Sequence, residues 1–294
     1  MKICAVVVWF NPEKSFVKNI ATYGVEKIYL VDNSETDNSA LLDGVKNAVY
    51  MANKKNLGIA KALNIGCRKA LDDGFEFCMT MDQDSFFDEG ETKKYFAKIQ
   101  EKSAEDESIK SFAPTIRSTT RPPLIERMKG IVKRKIFRRE QKNADGFVTN
   151  CICSGNVISL SAFEKTGGFY EPLFIDEVDH EFCYRLQRHG FKIYHFADVS
   201  LNHSIGTQKS TIFPSNNHGD TRLFYILRNS LFVQEIYPDF AAELNYKRYI
   251  YLYKKRAFLY DHPFWKWIKL AKIVKDAERE SKILIENFKK ENSR

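Results

Sequence analysis

Residues 75–81, Phe75-Glu76-Phe77-Cys78-Met79-Thr80-Met81, form a mostly apolar run that breaks abruptly into Asp82-Gln83-Asp84-Ser85. A short apolar run of this kind predicts a buried strand, and a buried strand in an open α/β sheet delivers the next residues to the carboxyl edge, where such sheets bind ligands. Alternate residues of an extended chain point the same way, so Asp82 and Asp84 share a side. Two hard anionic oxygen donors suit Mg²⁺ or Mn²⁺, which keep positions open for phosphate oxygens of a substrate. Taken alone, the same tetrapeptide also suits an ordinary polar turn capping the next helix.

The preceding chain repeats that pattern. Residues 3–10 are continuously apolar and Val-rich, typical of a buried parallel strand, and Asn11-Pro12 stops them. A polar, helix-compatible stretch covers 13–23. Strands are predicted at 25–31, ending in Asp32-Asn33-Ser34, and at 48–52, followed by Asn53 and Asn56-Leu57-Gly58; a helix comes next over 59–71. This rhythm implies a doubly wound α/β unit binding a nucleotide across strand ends. No G-x-G-x-x-G follows the first strand and no G-x-x-x-x-G-K-[ST] occurs, which argues against an NAD enzyme and a P-loop NTPase. Asp32 can accept a hydrogen bond from the imide N–H of a pyrimidine, a group adenine lacks, or close an Asx turn.

Further on, a helix is predicted at 93–102, a strand at 111–116 and strand-like sequence at 146–160, with a basic excursion at 117–145 between the last two. Its composition predicts a mobile segment. Asp176-Glu177-Val178-Asp179-His180-Glu181 then opens a helix ending near Gly190. Asp176 and Asp179 resemble a capping pair, yet four acids in six residues exceed what a cap needs, and a carboxylate at a helix start facing a cleft can serve as a general base. His203 comes after strand-like sequence ending near Phe196 and could complete a metal shell begun by Asp84 or contact a diphosphate.

Net charge is +8, distributed unevenly: residues 117–145 carry ten Lys/Arg against three acids and residues 247–294 fourteen against six. The body is therefore acidic and the two attachments basic, which points to an anionic partner. No nucleic-acid-binding module accompanies the basic segments, so nucleic acid is not expected. Residues 221–234 and the last helix have amphipathic spacing, with Trp267, Leu270, Ala271, Val274, Ala277, Ile285 and Phe288 on one side; residues 246–260 mix aromatics with Lys254-Lys255-Arg256. Basic residues beside Trp and Tyr suit an interfacial helix on an anionic membrane surface, and a homodimer through these helices is the competitor. Cys4, Cys67, Cys78 and Cys183 fall in apolar or helical patterns as reduced thiols, Cys151 and Cys153 lack zinc spacing, and no signal peptide or membrane span is apparent, so a cytoplasmic protein is expected.

Several pieces occur together in order: Val6-Val7-Val8-Trp9-Phe10-Asn11-Pro12, Val31-Asp32-Asn33-Ser34, Asn56-Leu57-Gly58-Ile59-Ala60-Lys61-Ala62-Leu63-Asn64-Ile65-Gly66, Asp82-Gln83-Asp84-Ser85, Gly167-Gly168-Phe169, Phe174-Ile175-Asp176-Glu177-Val178-Asp179, His203-Ser204-Ile205-Gly206 and Arg228-Asn229. With these the chain resembles family-2 inverting glycosyltransferases of the GT-A fold and is similar to bacterial rhamnosyltransferases. The resemblance covers roughly residues 3–230. It implies an α/β, GT-A-type nucleotide-diphospho-sugar transferase domain over 1–215, with a mainly helical basic C-terminal region over 216–294. It implies donor contacts at Asn11, Pro12, Asp32, Asn56, Gly58, Asn64, Asp82 and Gln83, with Asp32 at the pyrimidine and Asp82 near the ribose. Asp84 and His203 would serve the metal and diphosphate, and Asp179 would be the catalytic base. Val178 stands where many members have Glu immediately before that Asp, as in the rhamnosyl-like branch. The resemblance further implies transfer of L-rhamnose from dTDP-β-L-rhamnose to a saccharide acceptor, often lipid-linked, in O-antigen or capsule synthesis at the inner face of the plasma membrane. A UDP-hexose or UDP-galactofuranose donor is the alternative.

Overall fold

The computed structural model describes residues 1–118, 145–203, 219–240, 250–251 and 264–292 of the 294-residue chain. The Val-rich first strand, β1 (Ile3–Trp9), is buried along almost its whole length and pairs in parallel with β2 (Ile28–Asp32) and β4 (Phe77–Asp82). Both faces of these strands are covered, and the period-2 pleat sorts their side chains: Cys4, Val6, Tyr29 and Val31 enter one core, while Ala5, Val7, Trp9, Ile28 and Leu30 enter the other. β3 (Ala48–Ala52) extends the parallel set from β2. Helix α2 (Ile59–Asp72) lies on the first face, where Gly66 sits so near Val6 that an added Cβ would fall 2.4 Å from a Val6 methyl.

The remaining sheet is mixed, with order β3-β2-β1-β4-β8-β6-β9-β5. β5 is Ser85–Phe87, β6 Ile109–Ser118, β7 Gly146–Phe147, β8 Asn156–Ser159 and β9 Lys192–His203; β7 pairs with β9. The short α1 (Val17–Ile20) comes after β1, α3 (Glu91–Glu105) precedes β6, and α4 (Leu160–Lys165) and α5 (Val178–Arg188) lie between β8 and β9. Two expectations need correction. The stretch 146–160 is not one strand but two short ones, because Gly155 turns with φ +78° to bring its loop against Pro114. β9 does not end near Phe196: Pro114 of β6 pairs with Phe196 and Thr115 with Ser200, so residues 197–199 are looped out and β9 then resumes to His203. That irregularity breaks the alternation from which a strand is read.

In the C-terminal part, α6 (Asp220–Ile236) and α7 (Phe264–Asn292) run in the same direction, with Lys269 paired to Asp220 near one end and Lys289 to Glu235 (3.0 Å) near the other. The buried side of α7 includes Leu270, Ala277, Ser281, Leu284 and Phe288, whereas Ala271 is exposed, contrary to its expected place on the apolar side. Phe232 and Val233 of α6, Tyr237 just past its end and Phe288 of α7 join the same core as Cys4 and Val6, so these helices are built onto the α/β body. The expected boundary at 215–216, most of the basic excursion 117–145, Ser204-Ile205-Gly206 and most of 246–260 lie outside the described residues.

Candidate active site

At the end of β4, the Asp82–Asp84 turn is tied to the end of β1 through Gln83. The backbone N–H of Phe10 donates to Gln83 Oε1 (3.0 Å), Gln83 Nε2 donates to Phe10 O (3.3 Å), and Asn19 donates to the Gln83 carbonyl (3.0 Å). Gln83 therefore aligns the turn with its side chain. Antiparallel pairing of β5 with the end of β9 sets His203 opposite Ser85, one residue from Asp84. His203 Nδ1 lies 2.7 Å from Ser85 Oγ and 3.3 Å from Asp84 Oδ1, and the Ser154 hydroxyl donates to Asp82 Oδ2. One ligand atom from each of Asp82, Asp84 and His203 falls within 4.8 Å of the others. Burial pushes the Asp82 carboxyl up, opposed by Ser154 and His203 and reinforced by Asp84 and Asp179. Burial works against the His203 imidazolium, but the adjoining Asp84 and the Asp82 charge outweigh it and raise its value. Two hard carboxylates and one imidazole fit Mn²⁺, and they fit Mg²⁺ with waters completing its shell.

Asp179 reaches the same place from α5. The expected capping pair does not form: the helix begins at Val178, the residue before it is Glu177 in the left-handed region (φ 62°), and no side chain caps the end. Asp176 instead pairs with Arg222 (3.0 Å), Glu177 accepts from His180 Nδ1 (3.0 Å), and Glu181 is buried against Arg185. Asp179 alone of the four turns to the strand-end loop, where its Oδ2 accepts the Cys153 N–H (3.3 Å) and its Oδ1 the His180 N–H (2.9 Å). For His180, burial opposes charge, but Asp179 and Glu177 outweigh it and the imidazole is pushed up to about 10.

The loop before α5 is strained, with Phe174, Asp176 and Glu177 all at φ between 62° and 66°. Helix α6 holds it: the buried Asn229 amide donates to the carbonyls of Leu173, Ile175 and Asp176 (2.8–2.9 Å), and Arg228 donates to those of Pro172 (2.7 Å) and Leu173 (3.0 Å). On the other side, Phe174 O accepts the first N–H of α2 from Ile59 (2.7 Å), and Gly58 leaves 2.5 Å between an added Cβ and the Phe174 ring. Glycine is required at position 58 both for that approach and for its φ of +81°.

The other expected donor contacts divide. Asp32 is fully buried and closes the Asx turn: Oδ1 accepts the Ser34 N–H (2.8 Å), and Oδ2 accepts Asn38 Nδ2 (2.8 Å) and the Tyr50 hydroxyl (2.7 Å). Asn11, at φ 46°, donates its N–H to Ser34 Oγ (2.7 Å), and Pro12 follows it at the half-exposed end of β1. Asn56 makes a local turn onto the Gly58 N–H (3.0 Å). Asn64 is brought not to the carboxylates but to the Gly167-Gly168-Phe169 turn, with Oδ1 accepting the Phe169 N–H (2.8 Å) and Nδ2 donating to its carbonyl (2.8 Å) and to Glu171 (3.1 Å). Sequence reasoning missed Ser154 and the Cys153 N–H, whose only signal was a polar Ser-Gly-Asn at the head of an apolar run.

Comparison with known proteins agrees with this architecture. The family model described as glycosyl transferase family 2 matches residues 14–167. The dTDP-rhamnosyl transferase RfbF of Shigella flexneri is 31% identical over 238 residues, 78% of this chain and 78% of its own. Among solved structures, GalNAc-T7 with UDP, GalNAc and Mn²⁺ superposes with TM-score 0.59 at 16% identity, over 95% of this chain and 54% of its own, so the chain spans about half of that protein. TarS 1–349 of S. aureus superposes with TM-score 0.59 at 12% identity, over 94% of this chain and 80% of its own. At these identities the structures establish the shared GT-A fold. The family match across half the chain and the extended identity to RfbF establish that this protein belongs to glycosyl transferase family 2.

Proposed function

We propose that the protein transfers a sugar, L-rhamnose from dTDP-β-L-rhamnose, to a hydroxyl of a saccharide acceptor in cell-surface polysaccharide synthesis, with inversion and with Mn²⁺ or Mg²⁺. One observation carries the mechanism: consecutive residues of one loop hold both kinds of carboxylate, Cys153 through its N–H to Asp179 and Ser154 through its hydroxyl to Asp82. This shared loop supports a base beside the diphosphate end of the donor. Asp179 takes the proton from the acceptor hydroxyl as that oxygen attacks the anomeric carbon, and one displacement inverts the centre. Asp82, Asp84 and His203 would hold the ion, which would supply positive charge against the departing nucleoside diphosphate. Asp32, together with Asn11, Pro12 and Gly58, is assigned to the nucleotide end. The rhamnosyl donor is supported by the likeness to RfbF, and the nucleotide-end assignment of Asp32 by its place at the end of β2.

The test is thermal stabilisation by a panel of nucleotide sugars, each with Mn²⁺, Mg²⁺ or EDTA, since a ligand that binds only the native state raises apparent stability by mass action. The expected result is the largest shift with dTDP-rhamnose plus metal, abolished by EDTA and in Asp84→Ala. A larger shift with UDP-hexoses or UDP-galactofuranose would reassign the donor, and no metal-dependent shift with any donor would reject the reading.

For a lipid-linked acceptor, the start of α7 supplies a membrane contact at the inner face of the plasma membrane. Residues 264–275 carry four Lys and no acid, and Phe264, Trp265 and Ile268 are exposed. No helix among the described residues is long and apolar enough to cross a membrane, so contact through this helix would be peripheral. Flotation with anionic vesicles but not zwitterionic ones is expected, and it should be lost in Trp265→Glu/Ile268→Glu. Equal flotation with both vesicle types would remove the dependence on anionic lipid, and no flotation with either, together with dimer dissociation in that variant, would favour a homodimer surface instead.

A further inference from the structure

Of the six cysteines, Cys4, Cys67, Cys78, Cys153 and Cys183 are buried, whereas Cys151 is partly exposed. Cys151 Sγ and Cys183 Sγ lie 3.7 Å apart and join the loop before β8 to helix α5. That approach follows from how the two segments are laid together. The loop leaves β7 with the Val148 N–H donating to Ile193 O (3.1 Å) and ends where Asn156 of β8 pairs with Thr80. Between these anchors it steps along α5 toward the helix start. Gln187 donates to Thr149 O (2.7 Å), Asn150 donates to the Tyr184 hydroxyl (3.0 Å), Cys151 meets Cys183, and the Cys153 N–H reaches Asp179 (3.3 Å). The two thiols are thus one step in an ordered series of contacts whose next step is Asp179, and Ser154 then binds Asp82.

The two sulfurs have different parts to play. Contact with Cys151 and burial push the Cys183 thiol up, opposed by the His180 imidazolium on the same helix. Cys151 is therefore the first to meet an oxidant from solvent, and Cys183 is a second thiol already in contact with it. An accessible cysteine beside a resolving one is the arrangement that senses oxidation. With hydrogen peroxide, the Cys151 sulfur attacks one oxygen, the O–O bond breaks, and a sulfenic acid and one water form. The Cys183 sulfur then attacks the sulfenic sulfur, the S–S bond forms as the S–O bond breaks, and the hydroxide departs as water with the Cys183 proton. Two thiols lose two electrons and two protons, and the peroxide becomes two waters. A dithiol reductant reverses the change. Cys67 Sγ and Cys78 Sγ are almost as close, at 3.9 Å, but both are fully buried, so they serve as an internal control for proximity without access.

We propose that Cys151 and Cys183 are a peroxide-sensitive dithiol whose reversible disulfide locks the loop before β8 against α5 and slows the reaction. The sulfurs must close from 3.7 Å to the roughly 2.05 Å of a disulfide. Helix α5 is held by the buried Glu181–Arg185 pair, so the loop gives, and with it move the Cys153 N–H on Asp179 and the Ser154 hydroxyl on Asp82. Small misplacements of this kind cost one to two orders of magnitude in rate. The effect on rate rests on the glycosyl-transfer reading above; the crosslink does not. The full chain is treated with a small excess of hydrogen peroxide, alkylated, and mapped by mass spectrometry without reduction. A Cys151–Cys183 crosslink is expected, with Cys4, Cys67 and Cys78 recovered as thiols. Because the bond spans 32 positions, the melting temperature should rise by about 5 °C. Hydrolysis of the nucleotide sugar identified by the donor panel should fall about tenfold or more and return with dithiothreitol. Cys151→Ser should keep the parental rate and melting temperature and lose the response to peroxide, and Cys183→Ala should lose it too. No crosslink, a crosslink between other cysteines, a crosslinked protein that hydrolyses donor at the reduced rate, or inactivation that persists in Cys151→Ser would each overturn the proposal. If no nucleotide sugar stabilises the reduced protein, the transferase reading fails, and the crosslink map and melting temperature still decide the dithiol.

Discussion

Asp179→Asn is expected to lower turnover by about 10²–10⁴-fold at saturating donor, acceptor and metal, the usual contribution of a general base. The contacts of its acidic neighbours support the choice of Asp179. Of the four acids between 176 and 181, Asp176 is held by Arg222, Glu177 by His180 and Glu181 by Arg185, while Asp179 faces the loop that also carries Ser154 and through it Asp82. An amide keeps the shape but removes the basic oxygen. Because both Asp179 oxygens accept backbone N–H groups, an Asn can satisfy only one of them, at a local cost of about 1 kcal/mol. Donor-dependent thermal stabilisation should therefore persist while turnover falls. Near-normal turnover in the variant would remove Asp179 from the mechanism.

Glu181→Gln should destabilise the fold by about 3–5 kcal/mol, the range for breaking one partner of a buried ion pair. Glu181 is fully buried, and Arg185 one turn later binds it with two nitrogens at 2.8 Å while also donating to the carbonyls of Thr166 and Gly168 (2.6 Å for the latter). The Tyr237 hydroxyl at the end of α6 donates to the same carboxylate (2.7 Å). The network thus joins three segments: α5, which carries Asp179, the Gly167-Gly168 turn that Asn64 also grips, and the C-terminal helices. Removing the negative charge leaves a guanidinium buried without a counter-ion. Urea unfolding should show a lower midpoint with an unchanged slope. The double variant Glu181→Leu/Arg185→Met should recover much of the loss, because two apolar groups of similar volume leave no stranded charge. A change below about 1 kcal/mol in the single variant would mean that water reaches the pair and screens it.

Much of the fold was legible because it is local. The apolar runs of β1, β2 and β4, the helical spacing of α2 and the polar residues that end each strand are consequences of burial and period, and they place Asp32, Asp82 and Asp84 at strand ends without any tertiary knowledge. Where a segment's shape depends on distant contacts the sequence misled. The looped-out residues of β9 lie between Phe196 and Ser200, which pair with the adjacent Pro114 and Thr115 of β6, and the left-handed residues before α5 lie in a loop whose carbonyls at 173, 175 and 176 are held by Asn229, some fifty positions later. Neither leaves a periodic trace.

By itself, then, the sequence determined the α/β architecture, the strand-end carboxylates and an acidic helix start, all of which arise from short-range patterning of apolar and charged residues. Tertiary structure alone decided which groups converge. His203 meets Asp84 because β5 and β9 pair across 118 positions, Asn64 proves to clamp a turn, and Asp179 is singled out because its three acidic neighbours find partners elsewhere. Such choices depend on side-chain geometry between segments far apart in the chain, and a linear pattern cannot encode which of several chemically equivalent groups will be left facing the cleft.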